Sequence, residues 1–540
     1  MYLTQHAARV AHGGRARPVS PPCPQWAALC SYCCLCGAKP ATAACKRHPQ
    51  IGGKMEILNR QMTGKKNRPI KVVQFGEGNF LRAFVDYMID IANEQGKFDG
   101  DIVLIKPIEF GNLEMFHKQD CQYTVSLRGI VDGEAKVLNR QITSVADAVD
   151  SYTEYEKYMG LAKIDTLRFV VSNTTEAGIV YDDTDRFECN PPKTFPGKLT
   201  KFLYHRFETF NGDMEKGLVM LPVELIDDNG IMLKKCVMQL IQLWGLGEAF
   251  AKWVDEACIF TSTLVDRIVT GYPRGTEKEE WELLGYEDRL MVTGEPFALW
   301  VIESGKDISK ELPLPDAGLP VIYTDNQKPY KQRKVRILNG AHTSFVLASY
   351  LAGNDLVKES MDDEDIRNFM MKTLFDEVIP TLTLPKKDLE DFAQAVISRF
   401  NNPYVKHALL SISLNSVSKW RARCMPSFLG YVEKTGELPI HLTFSLAALM
   451  AFYTGTEIRD KALIGHRDGK EYQILDDMQV LEFFRDNCQK ETGEFVTAFL
   501  GMENFFGQDL NKVAGLTDAV TAYLDDIKAN GMRAALCKTL

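Results

Sequence analysis

The segment KVRILNGAH contains three side chains that can move a proton or polarise a carbonyl group: Lys334, Asn339 and His342. At about 100° per residue of an α-helix, all three lie within one arc of the circumference, together with the apolar Leu338 and Phe345. A lysine kept from water on such a face loses part of its preference for the charged form, so it can exchange a proton with a carbinol or carbonyl oxygen near neutral pH. Asn339 could donate to the same oxygen, and His342 could orient the lysine or the substrate. The alternative is that the three side chains reach water from the edge of a half-buried helix.

A second segment with possible chemistry, GEGNFLRA, follows the β-branched run IKVVQF and opens a helical apolar pattern that ends at Gly96. Gly76 would allow a tight turn, and Gly78 would let the backbone approach a pyrophosphate bound at the start of the helix. Leu81 replaces the third glycine of the usual fingerprint, and an ordinary strand-to-helix turn is the alternative interpretation. The next strand ends in Lys106-Pro107 rather than in a carboxylate, so the sequence does not discriminate NAD from NADP.

Two further segments place charged or aromatic residues among apolar ones. In TLVDRIVTG, Asp266 and Arg267 stand beside apolar residues, and such a pair is most often a structural ion pair. GEPFALWVIE is typical of a buried strand, with Trp300 in the core.

The elements that must position these residues change character along the chain. Short apolar runs in the first half predict parallel strands at 70–75, 102–107, 167–173 and 217–225. After about residue 330 the apolar periods predict helices within 335–351, 364–378, 389–400, 442–453, 480–487 and 518–529. The predicted fold class is α/β, with a Rossmann-like dinucleotide-binding domain over residues 55–290 and a mostly α-helical substrate-binding domain over 291–540. A cleft between the two domains is the expected ligand site.

Composition limits the partners of this chain. Its 540 residues carry a net charge of −9, and residues 1–54 contain seven Lys or Arg and no acid, so the remainder is more acidic still. An acidic body disfavours nucleic acid as a partner. The longest apolar run, LAALMAFY, is shorter than a membrane span. Cysteines beyond residue 54 are scattered singly, which is typical of reduced thiols in a cytoplasmic enzyme.

Residues 1–54 differ from the rest of the chain. Six of the 13 cysteines stand in the first 45 residues, and CSYCCLC could be read as a zinc site through Cys30, Cys33 and Cys36. A targeting peptide is another alternative, because the segment is basic and free of acids. The irregular cysteine spacing and the lack of a long apolar core favour an extension without a function, with the working protein beginning at Met55.

Several motifs occur together in an order that resembles the polyol-specific long-chain dehydrogenases, the mannitol dehydrogenase family. They are Gly76-x-Gly78-x-Phe80-x-Arg82-Ala83, Val265-Asp266-Arg267-Ile268, Glu295-Pro296-Phe297 and Lys334-x4-Asn339-x2-His342. The resemblance covers most of residues 70–540. Within the family, LVDRIVTGYPR and KVRILNGAHTS are more similar to the branch acting on tagaturonate and altronate than to the mannitol branch.

The resemblance implies an NAD-dependent enzyme that needs no metal. Lys334 would donate the proton in reduction and accept it in oxidation, Asn339 would polarise the carbonyl oxygen, and His342 would bind substrate and hold the lysine. Asp266 would support the site, and Lys419, in SVSKW, would bind the carboxylate of an acidic sugar, with Glu224 also assigned to the substrate. The residues assigned to the cofactor are Val72, Val73, Gln74, Phe75, Gly76, Glu77, Gly78, Asn79, Phe80, Leu81, Arg82, Ala83 and Asn173.

Two departures from the family pattern bear on the choice of substrate. Phe84 stands where polyol members commonly have histidine, and Glu224-Leu225 stands in place of an Asp-Asn pair. A second carbonyl-polarising amide would then come from elsewhere, with Asn173 as a candidate. The alternatives are a sister enzyme acting on fructuronate or mannitol, and a dinucleotide-sensing protein without turnover, against which the complete Lys-Asn-His set argues. The oligomeric state is not indicated by the sequence.

Overall fold

The computed structural model describes residues 55–174 and 178–540. The extension, zinc and targeting hypotheses for residues 1–54 fall outside the described residues. Within them the chain forms the strands β1 (Ile70–Phe75), β2 (Asp101–Lys106), β3 (Tyr123–Val131), β4 (Glu134–Ile142), β5 (Val145–Asp150), β6 (Phe169–Ser172), β7 (Val219–Pro222), β8 (Ile259–Phe260), β9 (Ser262–Asp266), β10 (Val269–Gly271), β11 (Val292–Gly294), β12 (Leu299–Glu303), β13 (Val321–Thr324), β14 (Ile458–Arg459), β15 (Ala462–Arg467) and β16 (Lys470–Ile474).

The largest sheet is parallel throughout and has the order β5-β2-β1-β6-β7-β8. Within the sheet this is the order 3-2-1-4-5-6 of dinucleotide-binding folds, whose ligands bind where the order reverses, here beyond the carboxyl ends of β1 and β6. The four predicted strands are confirmed as β1, β2, β6 and β7. The helices of this part are Arg60–Thr63, Asn79–Leu81, Arg82–Asp86 (a π-helical turn), Tyr87–Glu94, Glu114–Lys118, Tyr155–Gly160, Phe195–Thr209, Asn229–Leu243, Glu248–Glu256 and Glu277–Leu284.

The first strand and the turn after it are fixed by burial and by one glycine. Val72, Val73 and Phe75 are fully buried, and β-branched residues pack well on a sheet covered on both faces. The chain then turns at Gly76, whose φ of 120° favours glycine and whose added Cβ would lie 3.2 Å from the carbonyl oxygen of Asn173. The helix that starts at Asn79 is therefore aimed at the end of β6.

Two smaller sheets join the Rossmann-like part to the rest of the chain. Their orders are β10-β11-β3-β4 and β13-β12-β9. Trp300, on β12, is 1% exposed, which confirms the predicted buried strand. Strand β11 pairs with β3, and strand β12 pairs with β9. The domain boundary predicted at residue 290 thus falls between strands that pair with each other. The chain becomes mostly helical only after β13.

The helical part has one central helix. Eleven of the thirteen residues of Ile440–Phe452 are buried, so the other helices pack around it on all sides. The predicted helices are confirmed, whereas the antiparallel meander β14-β15-β16 was not predicted. The helices are Lys328–Arg333, Lys334–Asn339 (π-helical), Gly340–Leu351, Val357–Asp362, Glu364–Lys372, Thr373–Val378 (π-helical), Lys386–Phe400, Leu409–Ile412, Ser416–Arg423, Met425–Thr435, Ile440–Phe452, Met478–Asn487, Thr492–Leu500, Glu503–Phe506, Leu516–Asn530 and Met532–Cys537.

In the part of the chain that the structure describes, the helices are too short or too polar to cross a membrane.

Candidate active site

Lys334 is the first residue of a π-helical turn and points back at the end of β9. Its Nζ donates to the carbonyl oxygen of Val265 at 2.8 Å and lies 3.8 Å from Oδ1 of Asp266. The side chain is 17% exposed, and burial lowers the pKa of the ammonium, with Arg399 adding to the effect and the nearby carboxylates opposing it. An ammonium has three N–H donors, so Lys334 keeps donor capacity for a bound molecule.

The π-helical turn changes the geometry expected from the sequence. Backbone bonds in such a turn reach five residues back, and the N–H of Gly340 reaches the carbonyl of Val335. The angles derived from an α-helix are therefore wrong for this stretch. The longer register places residues five apart, such as Lys334 and Asn339, on the same side of the helix. The wider turn thus brings the lysine and the amide closer together than an α-helix would.

A pocket of about 250 Å³ collects the four predicted catalytic residues. Lys334, Asn339, His342 and Asp266 all line it, which confirms that the sequence motifs meet in space. Their roles stay predictions. The remaining lining residues are Ile268, Leu338, Val357, Arg399, Phe400, Asn402, Val405 and His407.

Asp266 pairs with Arg399 rather than with its neighbour Arg267. The two Nη atoms of Arg399 donate to the two carboxylate oxygens of Asp266 at 3.1 and 3.0 Å. Arg267 donates instead to the carbonyl oxygens of Phe297 at 3.0 Å and Pro296 at 3.1 Å. The predicted ion pair between Asp266 and Arg267 is wrong, because successive side chains at a strand end point to opposite faces.

Arg399 also holds a second carboxylate, that of Glu295. Nε and Nη2 of Arg399 donate to Glu295 at 2.9 and 2.8 Å, and the guanidinium lies 4.3 Å over the ring of Phe297. Burial opposes the charge of Arg399, but Asp266 and Glu295 outweigh it and raise its pKa, so the arginine stays charged. These three residues, here named the Arg399 cluster (Asp266, Glu295 and Arg399), fix the position of the carboxylate next to Lys334.

His342 is held neutral beside the lysine. Its ring stacks on Phe400 at 4.1 Å between centroids and meets His407 edge-on at 5.4 Å. Burial, His407 and nearby cations hold the pKa of His342 well below its usual range. Its Nε2 is shielded from solvent and has no hydrogen-bond partner among the described residues. A neutral imidazole nitrogen is thus available to a bound hydroxyl group.

Glu224 lies apart from this pocket. Its carboxylate accepts from the hydroxyl of Ser172 at 3.1 Å and from the N–H and hydroxyl of Thr174 at 3.0 Å each. It is 2% exposed and ties the ends of β6 and β7 together. These bonds position the loop after β6, and the substrate contact predicted for Glu224 stays a prediction.

The turn after β1 has room for a dinucleotide. Gly78 precedes the helix, no side chain caps its first N–H groups, and a Cβ at Gly78 would meet nothing within 4 Å. Uncapped N–H groups at a helix start bind phosphate. These observations fit a pyrophosphate at this position.

Most side chains assigned to the cofactor are packed inside the protein. Val72, Val73, Gln74, Phe75, Leu81 and Ala83 are at most 1% exposed. Arg82 donates to the carbonyl of Glu77 at 3.1 Å, to Oδ1 of Asn79 at 2.7 Å and to the carbonyl of Leu290. Burial favours cofactor contacts through the backbone of these residues, and their predicted roles stay predictions. The more exposed turn residues Glu77, Gly78, Asn79, Phe80 and Asn173 stay predicted cofactor contacts.

Lys106 ends β2, where related folds place a carboxylate for the ribose. Its Nζ donates to the carbonyl oxygens of Ile108 at 2.7 Å and Glu109 at 3.0 Å, and pairs with Asp150 at 3.1 Å. These contacts use its three donors. The side chain is 1% exposed, so Lys106 presents no charge to the additional phosphate of NADP.

The sequence analysis missed Arg399 and His407, and it noted Glu295 only as part of a motif. Arg399 is separated from Glu295 by 104 residues and from Asp266 by 133, and no local pattern reports such a pairing. One signal was available. Arg399 falls three residues after the buried Val396, on the apolar face of its helix, where a cation requires an acidic partner.

Lys419 lies one helix away from the pocket residues. Its Nζ donates to the carbonyl of Ile412 at 2.9 Å, and burial lowers its pKa. Its charge also contributes to the low pKa of His342, after burial and the nearer groups. Its predicted role in substrate binding stays a prediction.

Within residues 55–174 and 178–540, no group of three or more His, Cys, Asp or Glu is placed to hold a metal ion.

Comparison with known proteins identifies the class. The family models of the mannitol dehydrogenase Rossmann domain and the mannitol dehydrogenase C-terminal domain match residues 70–316 and 326–528. The chain belongs to the mannitol dehydrogenase family, as the motifs predicted.

Curated relatives of this chain include altronate oxidoreductases. This chain is 43% identical to the protein of Phocaeicola vulgatus over 88% of this chain and 98% of the relative. It is 44% identical to that of Bacteroides thetaiotaomicron over the same shares, and 44% identical to that of Escherichia coli over 89% and 99%.

Two solved structures share the fold. D-sorbitol dehydrogenase in substrate-free form has a TM-score of 0.70 and 21% identity, covering 89% of this chain and 100% of its own. Pseudomonas fluorescens mannitol 2-dehydrogenase, in a ternary complex with NAD and D-mannitol, has a TM-score of 0.61 and 20% identity, covering 89% and 99%. The predicted fold class, a Rossmann-like domain followed by a mostly helical one, is confirmed.

Proposed function

We propose that this protein is an NAD-dependent oxidoreductase that interconverts tagaturonate and altronate. The observation that carries the proposal is the meeting of Lys334, Asn339, His342 and Asp266 in one pocket. The relatives support the choice of substrate, because the altronate oxidoreductases match nearly their whole length at 43% identity or more. The saturated Lys106 at the end of β2 supports NAD rather than NADP.

The reaction class is hydride transfer to or from a carbon that bears oxygen. When bound, the cofactor would supply the hydride as NADH in reduction and accept it as NAD⁺ in oxidation, and the turn at Gly76 and Gly78 and the start of the helix at Asn79 would hold its pyrophosphate. Reduction of the ketone adds one hydride to the carbonyl carbon and one proton to its oxygen. The protein must therefore provide that proton.

Lys334 is the group that provides it. In reduction its ammonium gives a proton to the carbonyl oxygen, and in oxidation the neutral amine takes the proton of the hydroxyl group. The bond to the carbonyl of Val265 aims Nζ, while burial lowers the pKa of Lys334, so the neutral amine forms at a lower pH than in a free lysine. The amide of Asn339 donates to the same oxygen as negative charge develops on it.

The surrounding residues set the conditions for this proton transfer. The Arg399 cluster neutralises the carboxylate beside Lys334, so the lysine is not locked in its charged form. His342, neutral and with a free Nε2, accepts a hydrogen bond from a substrate hydroxyl group. A reducing, cytoplasmic setting is part of the proposal, and the seven free cysteines in the described residues support it.

The test is a substrate panel with wild-type protein. NADH absorbance is followed after adding tagaturonate, fructuronate or fructose separately, with Lys334→Ala as the control for background oxidation. We expect turnover with tagaturonate to exceed that with the other two. A preference for fructuronate or fructose would assign the chain to a sister activity, and no turnover with any of the three would contradict the proposal as a whole.

A further inference from the structure

Two neighbouring cations on the helix Ser416–Arg423 form no ion pair within the described residues. Lys419 and Arg423 are four residues apart, so their side chains are neighbours on the helix surface. Lys419 donates to the carbonyl of Ile412, and Nη1 of Arg423 lies 3.5 Å from Oγ1 of Thr343, at the outer limit of a hydrogen bond. Both side chains are half-buried. Like charges at this spacing repel, and the repulsion is relieved when an anion binds between them.

The pair faces the catalytic helix. The end of Ser416–Arg423 packs on the start of Gly340–Leu351, where Sγ of Cys424 lies 3.6 Å from the carbonyl oxygen of Gly340. Thr343, which Arg423 approaches, is adjacent to His342 in sequence. The charges of Arg423 and Lys419 also contribute to the low pKa of His342, after burial, His407 and Arg399. The two cations therefore act on the imidazole that lines the pocket.

The acids of the Arg399 cluster and Asp476, which interacts with Lys419, are already engaged in other bonds. Asp266 and Glu295 are bound by Arg399. Asp476 is close enough to interact with Lys419, but its Oδ2 accepts hydrogen bonds from the hydroxyl of Tyr453 and from the N–H of Val417. Lys334 has its partner in Asp266. Lys419 and Arg423 are thus left without an ion-pair partner among the described residues.

We propose that Lys419 and Arg423 together bind the carboxylate of the substrate, and that Arg423 selects a sugar acid over the corresponding neutral sugar. The inference rests on the proposed function and assigns Arg423, which no motif singled out, to substrate specificity. A guanidinium can bind both oxygens of a carboxylate, while the lysine adds a second point of charge. The carboxylate then anchors one end of the substrate, with its ketone directed toward Lys334.

The experiment compares Arg423→Gln with Arg421→Gln as a matched control. Arg421 lies on the same helix, is exposed, and forms one side-chain hydrogen bond among the described residues, to the carbonyl of Asn504 at 3.5 Å. Steady-state kinetics are measured with tagaturonate and fructuronate, and tagatose and fructose serve as neutral counterparts that carry an alcohol in place of the carboxylate. For each neutral sugar the inhibition constant is measured against the preferred uronate. Arg423→Lys is added to separate charge from shape.

For the preferred uronate, we expect Arg423→Gln to lower kcat/KM by about 10- to 100-fold, mainly through KM, because it loses a charged hydrogen bond. The inhibition constants of the neutral sugars should change by less than about two-fold, Arg423→Lys should recover part of the loss, and Arg421→Gln should match wild type. An unchanged KM for the uronate, or an equal loss of affinity for the neutral sugars, would overturn the inference while leaving the proposed function intact. Wild-type protein that uses the neutral sugars and neither uronate would overturn both.

Discussion

Two buried cations, Arg82 and Lys334, each begin a π-helical turn, and they differ in how fully they are bonded. The guanidinium of Arg82 donates to the carbonyls of Glu77 and Leu290 and to the side chain of Asn79. Lys334 has one carbonyl partner at 2.8 Å and a carboxylate at 3.8 Å. Each nitrogen of Arg82 has a hydrogen-bond partner and helps to hold the fold, whereas the single nitrogen of Lys334 keeps N–H donors for a proton transfer. Spare hydrogen-bonding capacity, rather than burial or charge, separates the catalytic turn from the structural one.

The largest effect on turnover should come from Lys334, the cation with spare hydrogen-bonding capacity. Lys334→Ala removes the proton donor, and we expect kcat to fall by about 10²- to 10⁴-fold. NADH affinity, measured by calorimetric titration, should stay close to that of wild type, because the dinucleotide turn is a separate element. In wild type the rate of altronate oxidation should rise with pH through a pKa below that of a free lysine, since the neutral amine is the base. Near wild-type turnover in the variant would contradict the assigned role.

Removing the arginine of the Arg399 cluster should mainly lower the free energy of unfolding. Arg399→Gln leaves the buried carboxylates of Asp266 and Glu295 without their cation, and such a loss costs about 3–5 kcal/mol in the free energy of unfolding. Urea denaturation measures it, with Arg485→Gln as the control, because Arg485 pairs with Asp486 on the surface. The pH at which the rate of altronate oxidation rises should also increase. The reason is that the freed carboxylates favour the charged form of Lys334, whereas the neutral amine is the base. A destabilisation no larger than that of the control would show that the cluster contributes little.

A substitution in the dinucleotide turn should mainly lower the affinity for NADH. Gly78→Val places a branched side chain where a pyrophosphate must approach the backbone, and we expect the NADH dissociation constant to rise by about 10-fold or more. Gly305→Val is the matched control, because a Cβ at Gly305 also meets nothing within 4 Å and the residue lies on an exposed loop. Unchanged NADH affinity in Gly78→Val would place the cofactor elsewhere.

A pH-dependent effect on stability concerns Asp86, the last residue of the first π-helical turn. Burial raises its pKa to about 7, although the hydroxyl of Tyr123 donates to it at 2.6 Å. The folded-state pKa lies above the unfolded value of about 4, so the folded protein binds more protons between these pH values, and this contribution to stability falls as the pH rises from about 4 to about 7. Asp86→Asn removes the contribution. The difference in unfolding free energy between wild type and variant should therefore shrink from pH 5 to pH 8, and a constant difference would contradict the raised pKa.

The sequence predicted what local pattern determines. Burial along β1, the glycine turn and the helical periods after residue 330 each follow from neighbouring residues, and the structure confirms them. The four residues of the pocket were predicted through motifs and through resemblance to a family.

What could not be predicted depends on distant partners. The π-helical turn at Lys334 changes the helix by a single residue, which the apolar spacing did not reveal. The partner of Asp266 lies 133 residues away, and its neighbour Arg267 was the wrong choice. The second error concerns which group satisfies a buried charge, and only the folded chain decides that.

The Arg399 cluster has a consequence for how this chain can be made and recombined. Its carboxylates belong to the first part of the chain and its arginine to the second, so a ribosome completes Asp266 and Glu295 more than a hundred residues before their cation is synthesised. An N-terminal fragment alone would carry two acids shaped for a partner that it lacks. A chimaera that exchanges the helical half with that of a relative can keep the site only if the incoming half brings an arginine to this position. The three residues of the cluster must therefore be exchanged together.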